Sequence, residues 1–121
     1  MKQILIIEND ILLLKTLKSL LEARGYQTAL AKDGKEGLTL IGSQRFDLVL
    51  TDLMLPYASG MEIIEKLKNA PYKTPVIIVS SSHSEASITD GFNLGADDYI
   101  KKPFTPGELI SRIARLIDRD A

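Results

Sequence analysis

The chain has 121 residues, 45% of them hydrophobic, and a formal net charge of -1 from 15 basic and 16 acidic side chains. That is the size of one domain with one core, expected here over 1–121, and its near-neutral balance excludes a nucleic-acid or membrane-surface role carried by charge alone. Without cysteine there are no disulfides or thiolate metal sites, and no apolar run approaches the roughly 18 residues of a spanning helix, so the expectation is a soluble cytoplasmic protein.

Taken in chain order, the sequence alternates short apolar runs with helical spacing. Ile4–Ile7 predicts a first strand, and Leu14, Leu17 and Leu21 mark a helix that stops at Gly25. Tyr26–Ala31 predicts a second strand, and Leu38 and Ile41 a second helix ending before Gly42. Asp47–Leu50 is the third strand, followed by a helix on Ile63, Ile64 and Leu67 that ends near Pro71. Pro75–Val79 is the fourth strand, and 84–94 a less amphipathic helix closed by Gly95. Tyr99–Lys101 is the fifth, before a helix entered through Thr105 with Pro106 at its first position and a stripe of Leu109, Ile113, Leu116 and Ile117. The clearest strands do not alternate polar with apolar, which predicts burial on both faces of a parallel sheet. The fold class is therefore α/β, a doubly wound five-stranded parallel sheet with five helices and right-handed crossovers.

In such sheets the ligand crevice lies beyond the carboxyl ends of the strands, where strand order reverses. Four strands end in polar groups: Glu8-Asn9, Thr51-Asp52, Ser80, and Lys101-Lys102 before Pro103. The sheet brings these ends together. Carboxylates, a hydroxyl and an ammonium in one crevice suit phosphoryl chemistry, with acids to hold Mg²⁺, one carboxylate as nucleophile, and Ser and Lys to receive the phosphoryl oxygens.

The pieces "EN" at Glu8-Asn9, "DLVLTDLMLP" around Asp52, Gly60 after Pro56, "VIIVSSS" and "GADDYIKKPF" stand in order along the chain. Together they resemble the receiver domain of two-component response regulators, from Lys2 to about Arg119. The resemblance implies a phosphorylation-dependent switch in which Asp52 accepts a phosphoryl group from a phosphohistidine on a sensor histidine kinase or histidine phosphotransfer protein. It implies that Ser80 and Lys102 bind the phosphoryl oxygens. Glu8, Asn9, Asp52 and the Met54 backbone carbonyl stand at the Mg²⁺ positions, Tyr99 changes rotamer on activation, and Lys102-Pro103 is cis. On this reading the protein is no enzyme in the usual sense, though it catalyses its own phosphorylation and slow dephosphorylation.

The same residues admit other readings. Asp10 is expected to cap the first helix rather than bind metal, Lys101 to be a solvated lysine, and His83 to be a loop residue rather than a phosphohistidine. An aspartyl phosphatase is disfavoured because the acid pattern of those enzymes lies on the first strand, whereas Asp52 ends the third. A receiver-fold binding module acting without phosphorylation stays open as the alternative. Receivers usually carry two acids where this chain has Glu8-Asn9, and an amide supplies no charge to a hard cation.

The resemblance carries two further expectations. Met54 and Ser82 stand where receivers line the route of attacking water, and neither is an acid or amide, so a slowly hydrolysing aspartyl phosphate is expected. The last segments are similar to the receivers of winged-helix transcription factors, which pair through the fourth helix, fifth strand and fifth helix using acids near Asp97-Asp98 and arginines such as Arg112, Arg115 and Arg119. Asp90 sits where those receivers have a base facing Glu108, so a monomer or weak dimer is expected. An output domain or downstream protein would be read through the same face, with no direct nucleic-acid or membrane contact.

Overall fold

The apolar runs Ile4–Ile7, Leu48–Leu50 and Val76–Val79 have no polar face to give to water, and each becomes part of a strand covered on both sides. The computed structural model of the chain describes residues 1–81 and 84–118. In chain order the elements are β1 (Gln3–Ile7), α1 (Ile11–Glu22), β2 (Gln27–Ala31), α2 (Gly34–Ser43), β3 (Leu48–Thr51), α3 (Gly60–Asn69), β4 (Val76–Ser80), α4 (Glu85–Leu94), β5 (Asp98–Lys101) and α5 (Pro106–Ile117). The strands form one parallel sheet in the order β2-β1-β3-β4-β5, the predicted architecture.

Alternate residues of each strand feed two cores. Ile4, Ile6, Leu48, Leu50, Ile77, Val79 and Ile100 pack with Leu14, Leu17 and Leu21 of α1 and Leu109 and Ile113 of α5. On the opposite face Leu5, Ile7, Val49, Val76 and Ile78 pack with Ile63, Ile64 and Leu67 of α3. Burying side chains of this size contributes roughly 1.5–3 kcal/mol each. Among the described residues no helix is long and apolar enough to cross a membrane.

The helix ends follow the expected chemistry with one exception. Asp10 caps α1 by accepting from the Leu12 and Leu13 amides, Thr105 caps α5 ahead of Pro106, and Gly95 closes α4 at φ 113°, a conformation that favours glycine. Gly42, expected to stop the second helix, lies inside α2. That helix continues to Ser43 and ends where Gln44 turns extended. A glycine costs about 1 kcal/mol inside a helix but does not forbid one. Leu38 and Ile41, with Leu40, are half-buried and pack against the core on the α3 face of the sheet, while Gly34 and Gly37 are buried. A Cβ on Gly37 would stand 2.6 Å from Ile7 Cδ1, so this residue sets how closely α2 approaches β1.

Strand order reverses at β1, which has β2 on one side and β3 on the other. The crevice that such a reversal opens lies at the carboxyl ends of β1 and β3.

Candidate functional site

Register places the acids. Ile7 of β1 pairs with Thr51 of β3, so Glu8 and Asp52 leave the sheet side by side. On the other flank Ser80 of β4 pairs with Lys101 of β5, and the Lys102 amide donates to the Ser80 carbonyl at 2.9 Å. Lys102 is thereby anchored beside β4, and its long side chain crosses to the acids.

The Lys102 ammonium donates to Glu8 Oε1 at 2.6 Å and to Asp52 Oδ2 at 2.7 Å. Each acid takes its other hydrogen bond from the amide two residues further on: Asp10 N–H to Glu8 Oε2 at 3.0 Å, and Met54 N–H to Asp52 Oδ1 at 3.2 Å. Both acids are buried, Glu8 4% and Asp52 8% exposed. Burial alone would lower the pKa of Lys102, but its hydrogen bonds and charge interactions with Asp52 and Glu8 outweigh this and raise it. The ammonium is therefore the fixed counter-charge of a buried acid pair.

The backbone beneath Asp52 is held as tightly. Its carbonyl accepts from Thr51 Oγ1 at 2.9 Å, and α3 begins directly against it: a Cβ on Gly60 would stand 2.2 Å from the Asp52 carbonyl oxygen. In the loop between β3 and α3, Tyr57 holds a left-handed φ of 72° and is exposed.

The remaining candidate residues are placed as follows. Ser80 is fully buried at the end of β4. Tyr99 lies half-buried in β5 against the core on the α3 face of the sheet. Met54 is 78% exposed beside Asp52 in sequence, Lys101 is exposed, and the Lys102-Pro103 peptide is cis. Asn9 is exposed, and its side-chain amide donates to the Lys32 carbonyl at 3.3 Å rather than joining the acids. Ser82, His83 and Arg119 lie outside the described residues.

The amides of Asp10 and Met54 are site groups that reasoning from residue types misses. Backbone donors leave no residue-type signature, and the only available signal is their position two residues after an acid, as in an Asx turn.

For a hard divalent cation the chain offers oxygen donors of the right class, with Glu8 and Asp52 brought onto one point marked by the Lys102 ammonium. That set fits Mg²⁺ with two carboxylates. Among the described residues no group of three His, Cys, Asp or Glu side chains meets in a metal-holding cluster.

On the far side of β5, the buried Asp98 carboxylate takes Arg112 Nη1 at 2.8 and 2.9 Å and Arg115 Nη2 at 3.2 Å. Glu108 lies 3.7 Å from Arg112, and Asp97 pairs with Lys68 of α3 at 2.8 Å. Arg112 and Arg115 of α5 are thus engaged within the chain.

The family model described as the response regulator receiver domain matches residues 4–114. The transcriptional regulatory protein CrdR of Helicobacter pylori is 38% identical over 120 residues, which cover 98% of this chain and 56% of that protein. The chain spans about half the length of the curated relatives it matches. Among solved structures, the receiver domain of a Francisella response regulator superposes with a TM-score of 0.92 at 35% identity and full coverage of both chains. A CheY-like response regulator receiver domain protein from Methanospirillum hungatei gives 0.93 at 34% identity, covering 98% of this chain and 95% of that one.

Proposed function

Because the chain belongs to the response regulator receiver domain family of two-component systems, we propose that it is a phosphorylation switch with Asp52 as the phosphoacceptor. The observation that carries this reading is the Lys102 ammonium bridging Glu8 and Asp52 at the carboxyl end of the sheet.

An oxygen of Asp52 attacks the phosphorus of a phosphohistidine on a sensor kinase or phosphotransfer protein. The new O–P bond forms as the P–N bond breaks, and the imidazole leaves with the electron pair. Bound Mg²⁺, held by Glu8, Asp52 and the Met54 carbonyl, would offset the charge of the phosphoryl oxygens. Lys102 and the Ser80 hydroxyl receive the new dianion, which draws the end of β4 toward Asp52. Tyr99 then turns inward, repacking the surface of α4, β5 and α5. Output passes through that surface, in line with the regulatory names of the relatives. The same crevice slowly hydrolyses the aspartyl phosphate without a partner enzyme.

Incubation with a small phosphodonor and Mg²⁺, followed by mass spectrometry, tests the proposal. A hydroxylamine-labile, acid-stable adduct on Asp52, absent from Asp52→Asn, is expected. No adduct would favour the second reading, a receiver-fold binding module acting without phosphorylation. That reading draws its support from Asn9, which stands in place of an acid and faces Lys32.

A further inference from the structure

We propose that Gly34, at the start of α2, is a positioning residue for the loop that follows Asp52, and that it holds this loop in a strained turn at Tyr57. The proposal rests on the reading of Asp52 as the phosphoacceptor.

Two observations define the turn. The Ala58 amide donates to the Pro56 carbonyl at 2.9 Å, and Tyr57 between them has a φ of 72°. Together these make the positive-φ form of the γ-turn, which is rare and strained. Glycine takes such a φ freely, whereas a residue with a Cβ is driven toward negative φ. The Tyr57 ring is 83% exposed, so little packing offsets that drive. Strain of this kind persists only where the surrounding structure over-determines the conformation.

The restraint comes from α2. The Gly34 amide donates to the same Pro56 carbonyl at 3.1 Å, so one oxygen is held from within the loop and from the helix. A Cβ on Gly34 would stand 1.9 Å from the Ala58 carbonyl oxygen, which leaves no room for a side chain between the helix start and the far side of the turn. The helix start is itself fixed, because Asp33 caps α2 by accepting from the Glu36 amide at 2.8 Å.

The turn reaches the acid through Met54. The Gly60 amide holds the Leu53 carbonyl at 3.1 Å, and Gly34 holds that of Pro56. Met54 lies between these two anchors, and its amide donates to Asp52 Oδ1 at 3.2 Å. Release of Pro56 from Gly34 lets Tyr57 relax to negative φ and draws the Met54 amide off the acid.

The experiment uses Gly34→Ala, Tyr57→Gly, Tyr57→Ala and the two double variants that carry Gly34→Ala. Three quantities are measured against the wild type: unfolding temperature, hydrogen exchange of the Met54 and Ala58 amides by NMR, and the rate of phosphorylation by a small phosphodonor with Mg²⁺. Gly34→Ala is expected to unfold earlier, to exchange both amides faster, and to phosphorylate about fivefold more slowly, since misplaced reacting groups lose rate. Tyr57→Gly is expected to unfold later than the wild type and to exchange the Ala58 amide more slowly. Tyr57→Ala, which keeps the Cβ and therefore the strain, is expected to do neither. Added to Gly34→Ala, Tyr57→Gly is expected to bring the rate back to within about twofold of the wild type, a non-additivity of residues that share one contact. Tyr57→Ala is expected to bring back none of it. A packing defect at Gly34 unconnected with the turn would leave the two double variants alike, and that result overturns the proposal. An unchanged rate and unchanged exchange in Gly34→Ala, or no gain in unfolding temperature from Tyr57→Gly, would overturn it too. If Gly34→Ala does not fold, the contrast between Tyr57→Gly and Tyr57→Ala in unfolding and Ala58 exchange decides. If the wild type takes no phosphoryl group, the functional proposal fails, and the exchange and unfolding results still decide whether Gly34 holds the loop.

Discussion

Lys102 and Asp52 are separated by 50 residues in the chain and by 2.7 Å in space. The contact places a positive charge on the acid that ends β3, and Glu8 shares it at 2.6 Å. Its pH dependence has a definite sign. The pKa of Lys102 is raised by folding from 10.5, so its contribution to stability is fully present below pH 10.5 and is lost as pH rises through the folded value. Denaturant unfolding of the wild type and Lys102→Met is expected to show a constant gap from neutral pH to about 10, on the order of the 1.5–3 kcal/mol of hydrogen bonds to charged groups. The gap should narrow at higher pH. A gap that widens with alkalinity would contradict the assignment.

Asp98 provides the acid-side counterpart. Burial alone would raise its pKa, but hydrogen bonds from Arg112, the Tyr99 amide and Arg115 outweigh burial and hold the carboxyl below its ordinary value of 3.8. A depressed pKa stabilises the fold above the unfolded value, and that contribution disappears as pH falls through the folded one. Asp98→Asn should therefore be less stable than the wild type at pH 5–7, with the difference shrinking below about pH 3.8. Equal stability at neutral pH would show that the arginine pair contributes nothing.

The same cluster bears on self-association. Arg112 and Arg115 are held by Asp98 of their own chain, and Asp90 is exposed on α4. Pairing through α4, β5 and α5 would have to recruit arginines already engaged, and exposed ion pairs return only about 0–1 kcal/mol each. Sedimentation of the purified chain is expected to show a monomer, with at most weak association after phosphorylation. A tight dimer in either state would refute this.

Much of this organisation is legible in the residues, for reasons that differ by element. Ile4–Ile7 and Val76–Val79 admit few alternatives, because such runs have no polar face to give to water, and strand alternation with helices then leaves one sheet class. The acids and Lys102 are legible because a parallel sheet gathers its strand ends. What stays hidden is set by tertiary contact. Gly42 looks like a stop signal but lies inside α2, and the approach of that helix to β1 is set at Gly37, a residue with no hydrophobic signature. Asn9 stands where a ligand is expected, and only the position of the Lys32 carbonyl shows where its amide turns. Whether Arg112 meets an acid of its own chain or of another cannot follow from helical spacing.

On the proposed function, phosphoryl lifetime would be set by access of water to Asp52. Met54, two residues on, is 78% exposed, and its thioether is only a weak acceptor with no donor to orient a water. Replacing it by an amide supplies both. Met54→Asn is expected to hydrolyse its aspartyl phosphate about tenfold faster than the wild type, less than a full general base contributes. Loss of phosphate from the wild type within seconds, or an unchanged rate in the variant, would count against this account.

Gly60 tests whether the position of Asp52 depends on how closely α3 begins against β3. A Cβ there would stand 2.2 Å from the Asp52 carbonyl oxygen and 2.8 Å from Leu53 Cα, and both neighbours are backbone that cannot swing aside as a side chain does. The Gly60 amide also donates to the Leu53 carbonyl at 3.1 Å, so α3 cannot retreat without giving up that bond. Gly60→Ala should therefore lower stability by about 1–3 kcal/mol, the usual range for forcing a methyl into a packed site. Because the strain falls on Asp52 itself, phosphorylation by a small donor should slow as well. Gly42 is the control: it lies in α2, a methyl added there would meet no atom within 4 Å, and its φ is not positive. Gly42→Ala should raise stability by about 0.5–1 kcal/mol through the lower entropy of the unfolded chain, with phosphorylation unchanged. Thermal unfolding and phosphorylation rates of the two variants decide the matter. A Gly60→Ala protein matching the wild type in both would mean that α3 moves freely on β3, and that the close contact does not hold Asp52 in place.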